Sequence, residues 1–162
     1  MNQLWAPWRT KYIQAKTKPK GCIFCIAACN KKSSDSLIFT TAHSLVILNK
    51  FPYNNGHLMV SPLRHTSDIA SLTQEEITDL WKALKSAKRI LDKLLKPQGY
   101  NIGINLGDVA GAGITGHLHI HIVPRWKGDT NFMPVLAANK VISQSLEDLK
   151  KKLRYAYAKS NS

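Results

Sequence analysis

Short apolar runs, separated by turn residues, organise the middle of the chain. Leu37–Thr41, Leu45–Asn49 and His57–Ser61 read as β-strands. Pro52 and Asn55-Gly56, between the last two, are turn chemistry. The period then lengthens: Ile77, Leu80, Trp81, Leu84, Ala87, Leu91 and Leu94 recur at helical spacing. Thr73 followed by Glu76 predicts a capping box at the start of this helix, and Pro97 and Gly99 end it. Asn101–Leu106 resumes a strand, Gly107–Gly116 is a glycine-rich loop, and Gly116–Pro124 reads as a further strand. A last amphipathic helix is expected at Ser145–Ala158, carrying Leu146, Leu149, Leu153 and Tyr157. Strands, one long helix, more strands and a final helix predict an α+β fold with a largely antiparallel sheet. The 162 residues suit one domain. Within it we distinguish an N-terminal arm (1–35), a core (36–126) and a C-terminal segment (127–162). Trp5, Pro7, Trp8 and Tyr12 make the arm too apolar for a free tail.

One strand departs from simple alternation of apolar and polar residues. In His117-Leu118-His119-Ile120-His121 the histidines share one face, roughly 6.6 Å apart at a rise of ~3.3 Å per residue. Leu118, Ile120 and Ile122 take the other face and can enter a core. Three readings of the row compete: satisfied structural histidines, a three-histidine metal site, and phosphate chemistry. A metal site needs the strand to curl, because ligands on a ~2.0–2.1 Å sphere sit only ~3–3.5 Å apart. Phosphate chemistry suits imidazole, a nucleophile when neutral and a donor when protonated. The preceding Asp108–Gly116 stretch favours that reading, since glycines let backbone amides approach phosphate oxygens. It is no P-loop, for it lacks the Gly-Lys-Ser/Thr ending and the helix after it.

Charge narrows the partners without naming one. Lys and Arg number 23 against 10 acids, a net +13, which suits anionic ligands or reflects only solvated lysines. The runs at Lys16–Lys20 and Lys150–Arg154 are not interleaved with aromatics as a nucleic-acid platform would be, so nucleic acid is not the expected partner. No secretory leader pattern and no apolar run of about 18 residues is present, so no membrane partner is expected. Cys22, Cys25 and Cys29 make a poor disulfide framework and point to a reducing, cytoplasmic setting. Cys22-Ile-Phe-Cys25 reads as a tight turn offering two thiolates, half a zinc site by itself, and redox motifs share the spacing.

The histidine segment, His-φ-His-φ-His-φ-φ with φ apolar, resembles the histidine triad family. Further segments carry the resemblance: Leu48–Pro62 and Asn101–Gly107 match the family, while Trp5–Tyr12, Asn105–Asp108 with the alanine-glycine loop after it, and Pro124–Phe132 match the bacterial diadenosine tetraphosphate phosphorylase branch. The resemblance implies a helix-flanked, five-stranded antiparallel sheet, and a homodimer with a continuous sheet. It implies that His119 is the nucleophile at an α-phosphorus, that His121 contacts the phosphate, that His57 supports the row, and that His117 joins this catalytic set unless a zinc ion takes it. By the same resemblance Asn49 reads the ribose, and Asn105, Gly113, Ile114, Thr115 and Trp126 line the substrate. Hydrolytic members carry Gln and then Ser or Thr where this chain has Gly113 and Ile114. That weakens a plain hydrolase assignment and leaves water or orthophosphate open as the second acceptor. Family members also close the Cys-x-x-Cys with two histidines, which would make Cys22, Cys25, His65 and His117 a structural zinc site. Mg²⁺ is expected only with the substrate phosphates. The expected activity is therefore phosphorolysis of a dinucleoside polyphosphate such as diadenosine tetraphosphate. The alternatives are hydrolysis of dinucleoside polyphosphates or nucleoside phosphoramidates, metal-dependent hydrolysis using all three histidines, and non-enzymatic binding.

Overall fold

The structure, a computed structural model, describes residues 21–30, 34–129 and 144–160. The arm segment Trp5–Tyr12 and the Asn131-Phe132 part of the C-terminal match lie outside them. The described chain runs α1 (Ile23–Cys29), β1 (Leu37–Thr40), β2 (Ser44–Leu48), β3 (Leu58–Pro62), a 3-10 turn (Ile69–Ser71), α2 (Gln74–Leu95), β4 (Gly99–Ile104), β5 (Ile120–Arg125) and α3 (Leu146–Ser160). The five strands form one antiparallel sheet in the order β1-β2-β3-β5-β4. No described helix is long and apolar enough to cross a membrane.

Alternation divides the side chains between two layers. Val46, Leu48, Leu58, Val60, Ile120 and Ile122 face α2 and α3, where Leu80, Leu84, Ile90, Leu91, Leu149 and Leu153 complete the main core. Leu45, Ile47 and Met59 face the other way, and α1 covers them with Phe24 and Ala27. A β-bulge between Leu37 and Phe39 lets Leu37 join the second layer while Ile38 and Phe39 both enter the first. Ring stacking of Phe39 on Tyr157 at 3.8 Å, and Arg154 donating to the carbonyls of Leu37 (2.7 Å) and Ser34 (2.9 Å), fix α3 on β1.

Helix α2 begins as the sequence dictates. The Thr73 hydroxyl accepts from the Glu76 amide, and the Glu76 carboxylate accepts from the Thr73 amide. Lys96 adopts the left-handed conformation (φ 46°) and Pro97 prevents continuation. Glu76 also receives both arms of Arg64, at 2.8 Å each, so the same carboxylate ties the end of β3 to the helix.

One strand boundary differs from expectation. The histidine strand, expected at Gly116–Pro124, pairs only over Ile120–Arg125. Residues 117–119 instead bond to the segment leaving β3. Leu118 N–H donates to the Thr66 carbonyl at 2.6 Å, and the Ser61 hydroxyl donates to the Leu118 carbonyl at 2.9 Å.

Candidate active site and metal centre

His121 lies on β5 opposite Met59 of β3 and Gly103 of β4, on the face away from the main core. His57 sits one residue before β3 on that same face, fully buried. A backbone amide can only donate, so the Tyr53 N–H at 3.0 Å makes the His57 Nδ1 an acceptor. The Asn49 amide nitrogen, 3.2 Å away, points at the same atom. In the neutral ring the His57 proton is then on Nε2, which donates to His121 Nδ1 at 2.9 Å. His121 in turn carries its proton on Nε2. A carbonyl settles the middle ring: the His119 Nδ1–H donates to the His117 backbone oxygen at 2.8 Å, leaving Nε2 with a free lone pair. The rings of His119 and His121 meet edge to face at 4.8 Å, closer than the roughly 6.6 Å of an extended strand. Phe24 fills the space beside His117 and His119, at 5.0 and 5.1 Å.

Burial lowers the pKa of His119 and so favours the neutral ring. His121 is brought down to about 4, chiefly by burial and further by the neighbouring His119. Both rings are therefore neutral near pH 7, one with a lone pair and the other with an N–H to present. That pairing suits attack on, and stabilisation of, a phosphorus centre.

His117 turns away from this pair. Its Nε2–H donates to the Pro62 carbonyl at 2.9 Å, so Nδ1 carries a lone pair. That nitrogen lies 3.1 Å from Cys22 Sγ, 3.7 Å from Cys25 Sγ and 3.2 Å from His65 Nδ1, and Cys25 Sγ is 3.3 Å from His65 Nδ1. All four donor atoms fall within 4.8 Å of one another. Tetrahedral zinc, with Zn–S ~2.3 Å and Zn–N ~2.0–2.1 Å, sets its ligand atoms roughly 3.3–3.8 Å apart. The donor set and its spacing fit that ion. The Cys-x-x-Cys is not a bare turn: Cys22 caps α1 and Cys25 lies in its first turn. Burial raises the Cys25 thiol pKa, with Cys22 and Cys29 adding to the effect. The three-histidine metal site finds no counterpart, because His117 faces the cysteines while His119 and His57–His121 are bonded elsewhere.

Of the remaining expected residues, Asn49 bonds into the histidine group through His57, and the others lie in the loops and strand ends that follow β4 and β5. Asn49, at the end of β2, has its amide engaged by the Phe51 N–H (2.9 Å) as well as by His57. Asn105 follows β4 half-buried, and Trp126 follows β5 half-buried. Gly113 and Thr115 are exposed, while Ile114 packs against the α1 layer. The loop's amides at Gly111 and Ala112 are used internally, on the carbonyls of Asp108 (2.8 Å) and Gly107 (3.1 Å). A cavity of about 440 Å³ opens between the end of β2 and α3, lined by Asp35, Leu48, Asn49, Lys50, Leu146, Glu147 and Lys150. It reaches the histidines only through Asn49. Sequence reasoning missed Tyr53, whose amide orients His57, and the Pro62 carbonyl. Neither backbone group leaves a signal in residue type.

The fold and this site define a histidine triad protein. The HIT domain family model matches residues 30–128, and the chain belongs to that family. Among its relatives, an AP-4-A phosphorylase of Mycobacterium tuberculosis is 34% identical over 175 residues, spanning 98% of this chain and 86% of the relative. An asymmetrical bis(5'-nucleosyl)-tetraphosphatase of Schizosaccharomyces pombe is 30% identical, covering 77% of this chain and 65% of its own length. A Zn-bound histidine triad family protein from Mycobacterium smegmatis superposes with a TM-score of 0.68 at 27% identity, covering 87% of this chain and 96% of that one. The two named activities are those of enzymes acting on nucleotides.

Proposed function

We propose that the protein transfers a nucleotidyl group from the α-phosphate of a dinucleoside polyphosphate, through a covalent intermediate on His119, with orthophosphate as the final acceptor. The observation that carries this reading is the His119 Nδ1–H held by the His117 carbonyl at 2.8 Å, which leaves Nε2 unprotonated on a buried ring. With diadenosine tetraphosphate, the Nε2 lone pair attacks the α-phosphorus. An N–P bond forms, the P–O bond to the bridging oxygen breaks, and ATP leaves with that oxygen. The His121 Nε2–H stabilises charge on the phosphoryl oxygens. An orthophosphate oxygen then attacks the phosphorus, the N–P bond breaks, its electron pair returns to Nε2, and ADP leaves. The relative named AP-4-A phosphorylase supports orthophosphate over water, as does the apolar Ile114 where hydrolytic members carry Ser or Thr.

Cys22, Cys25, His65 and His117 would hold a zinc ion, whose contribution is structural: it clamps α1 to the start of the histidine segment. Mg²⁺ would arrive on the substrate phosphates, since the metal-ligating group among the described residues is this Cys/His set. We also propose a homodimer joined through the edge strand β4, where Ile102 (46%) is exposed, as are nearby Leu106 (47%) and Trp81 (57%) on α2. Free cysteines suit a reducing, cytoplasmic setting.

Incubation of the protein with diadenosine tetraphosphate tests the activity. ADP plus ATP, formed only when orthophosphate is present, is the expected result. AMP plus ATP regardless of orthophosphate overturns phosphorolysis in favour of hydrolysis. Mass spectrometry of protein quenched with substrate should find the nucleotidyl adduct on His119. Light scattering tests the dimer.

A further inference from the structure

The turn that carries Tyr53 and His57 is fastened at a point remote from both rings. Asn54 is buried, and its amide nitrogen donates to the Pro124 carbonyl (3.0 Å) and to Asp129 Oδ2 (2.7 Å). Asp129 Oδ2 also receives Arg125 Nε at 2.6 Å and the Trp126 N–H at 3.2 Å, while Oδ1 receives Arg125 Nη2 at 2.9 Å. The Asn54 carbonyl accepts the His57 N–H at 3.2 Å, closing the turn. Gly56, at φ +79°, is pressed so close that a Cβ would stand 2.5 Å from Leu95 Cδ1 and 3.1 Å from Pro124 Cγ. One carboxylate therefore gathers both flanks of His121: the turn beyond β5 and the turn before β3.

We propose that Asn54 and Asp129 are positioning residues that act through the Tyr53 amide to hold His57, and through it His121, in the tautomer that presents Nε2–H to the substrate phosphate. This rests on the nucleotidyl-transfer reading of the site. The physical reason is that neutral imidazole has two tautomers of similar energy, and the neighbouring hydrogen bond selects between them. When the turn is held, the Tyr53 N–H occupies His57 Nδ1 and the proton must sit on Nε2. When it loosens, His57 can protonate at Nδ1, its Nε2 becomes an acceptor, and His121 answers by moving its own proton to Nδ1. His121 then offers a lone pair to an anion, which is repulsive where attraction is required.

The test is ¹⁵N–¹H long-range correlation spectroscopy of the histidine rings in the full-length protein, alongside kinetics with diadenosine tetraphosphate and orthophosphate. In the unaltered chain His57 and His121 should both be protonated at Nε2 and His119 at Nδ1; an Nδ1-protonated His57 overturns the proposal directly. In Asn54→Ala and in the isosteric Asp129→Asn, His57 and His121 should both show mixed tautomers while His119 keeps its own. kcat should fall roughly tenfold to a hundredfold with KM nearly unchanged, and Asp129→Glu should recover most of the loss. Folded variants with unaltered His57 and His121 tautomers overturn the proposal even if their activity is lower. If the unaltered protein does not turn over diadenosine tetraphosphate, the functional reading fails, and the tautomer shift still decides the positioning role.

Discussion

The two ends of the histidine segment use one residue type for opposite purposes. At the His117 end a carbonyl takes the Nε2 proton and turns Nδ1 toward two thiols and another imidazole. Two residues on, a carbonyl takes the Nδ1 proton and leaves Nε2 with the lone pair. Neither ring is intrinsically a ligand or a nucleophile. The backbone oxygen each one meets decides, and those oxygens come from Pro62 and from His117 itself.

The sharpest way to break this contrast is to remove one side chain from each centre. His119→Ala should lower kcat/KM by about 10⁴-fold or more while leaving bound zinc and Tm nearly unchanged, read by steady-state kinetics, metal analysis and calorimetry. Cys25→Ser should do the reverse in kind: zinc content falls well below one per chain and Tm drops by roughly 10 °C, the equivalent of about 3 kcal/mol at this chain size. Equal loss of chemistry and of stability in both variants would erase the distinction.

A smaller effect should come from the tie between the metal end and α2. Glu76→Gln keeps the shape but loses the charge that receives Arg64 and the Thr73 amide. Arg64 is its first cause of a carboxyl pKa lowered to about 2, followed by the Thr73 backbone. Because the Arg64 side chain is 46% exposed, solvent screens much of the pair, and the expected cost is about 1 kcal/mol by denaturant unfolding. The same variant should bind zinc more weakly, since Arg64 adjoins His65.

The last effect, confined to the catalytic end and expressed only as the pH falls, is on acid stability. His121 titrates at about 4 in the folded chain against an ordinary value near 6.5. The unfolded state therefore binds the proton first as pH falls. Its contribution to stability is fully present above about pH 6.5, declines as pH falls toward 4, and levels off below. Urea unfolding between pH 7.5 and 4 should show a shallower decline in His121→Asn than in the unaltered chain. An identical slope contradicts a neutral, half-buried His121.

Much of the fold is legible in the residue pattern because burial alone sets it. The Thr73/Glu76 box, the face running from Leu80 to Leu91, and the alternation of Ile120 and Ile122 against the histidines each follow from a period and a core. The five-strand sheet and the Cys/His grouping were implied only by resemblance, since spacing cannot bring Cys22 to His117 across 95 positions. What the pattern hides is proton placement. Nothing in Tyr53-Asn54 or Ser61-Pro62 marks an amide or a carbonyl that will choose a tautomer, because every residue type supplies the same backbone groups. The start of the histidine strand is hidden in part for the same reason: the Thr66 carbonyl, together with the Ser61 hydroxyl, draws Leu118 out of the ladder.

Gly56, wedged against Leu91, Leu95 and Pro124, has a consequence for motion. The turn bearing Tyr53 and His57 packs directly on the last turn of α2, so the two are expected to open as one cooperative unit. Amide exchange at His57 should then track that at Leu94 and Leu95 across temperature and denaturant. Exchange at the end of α2 would thus report on opening of the catalytic face across the sheet.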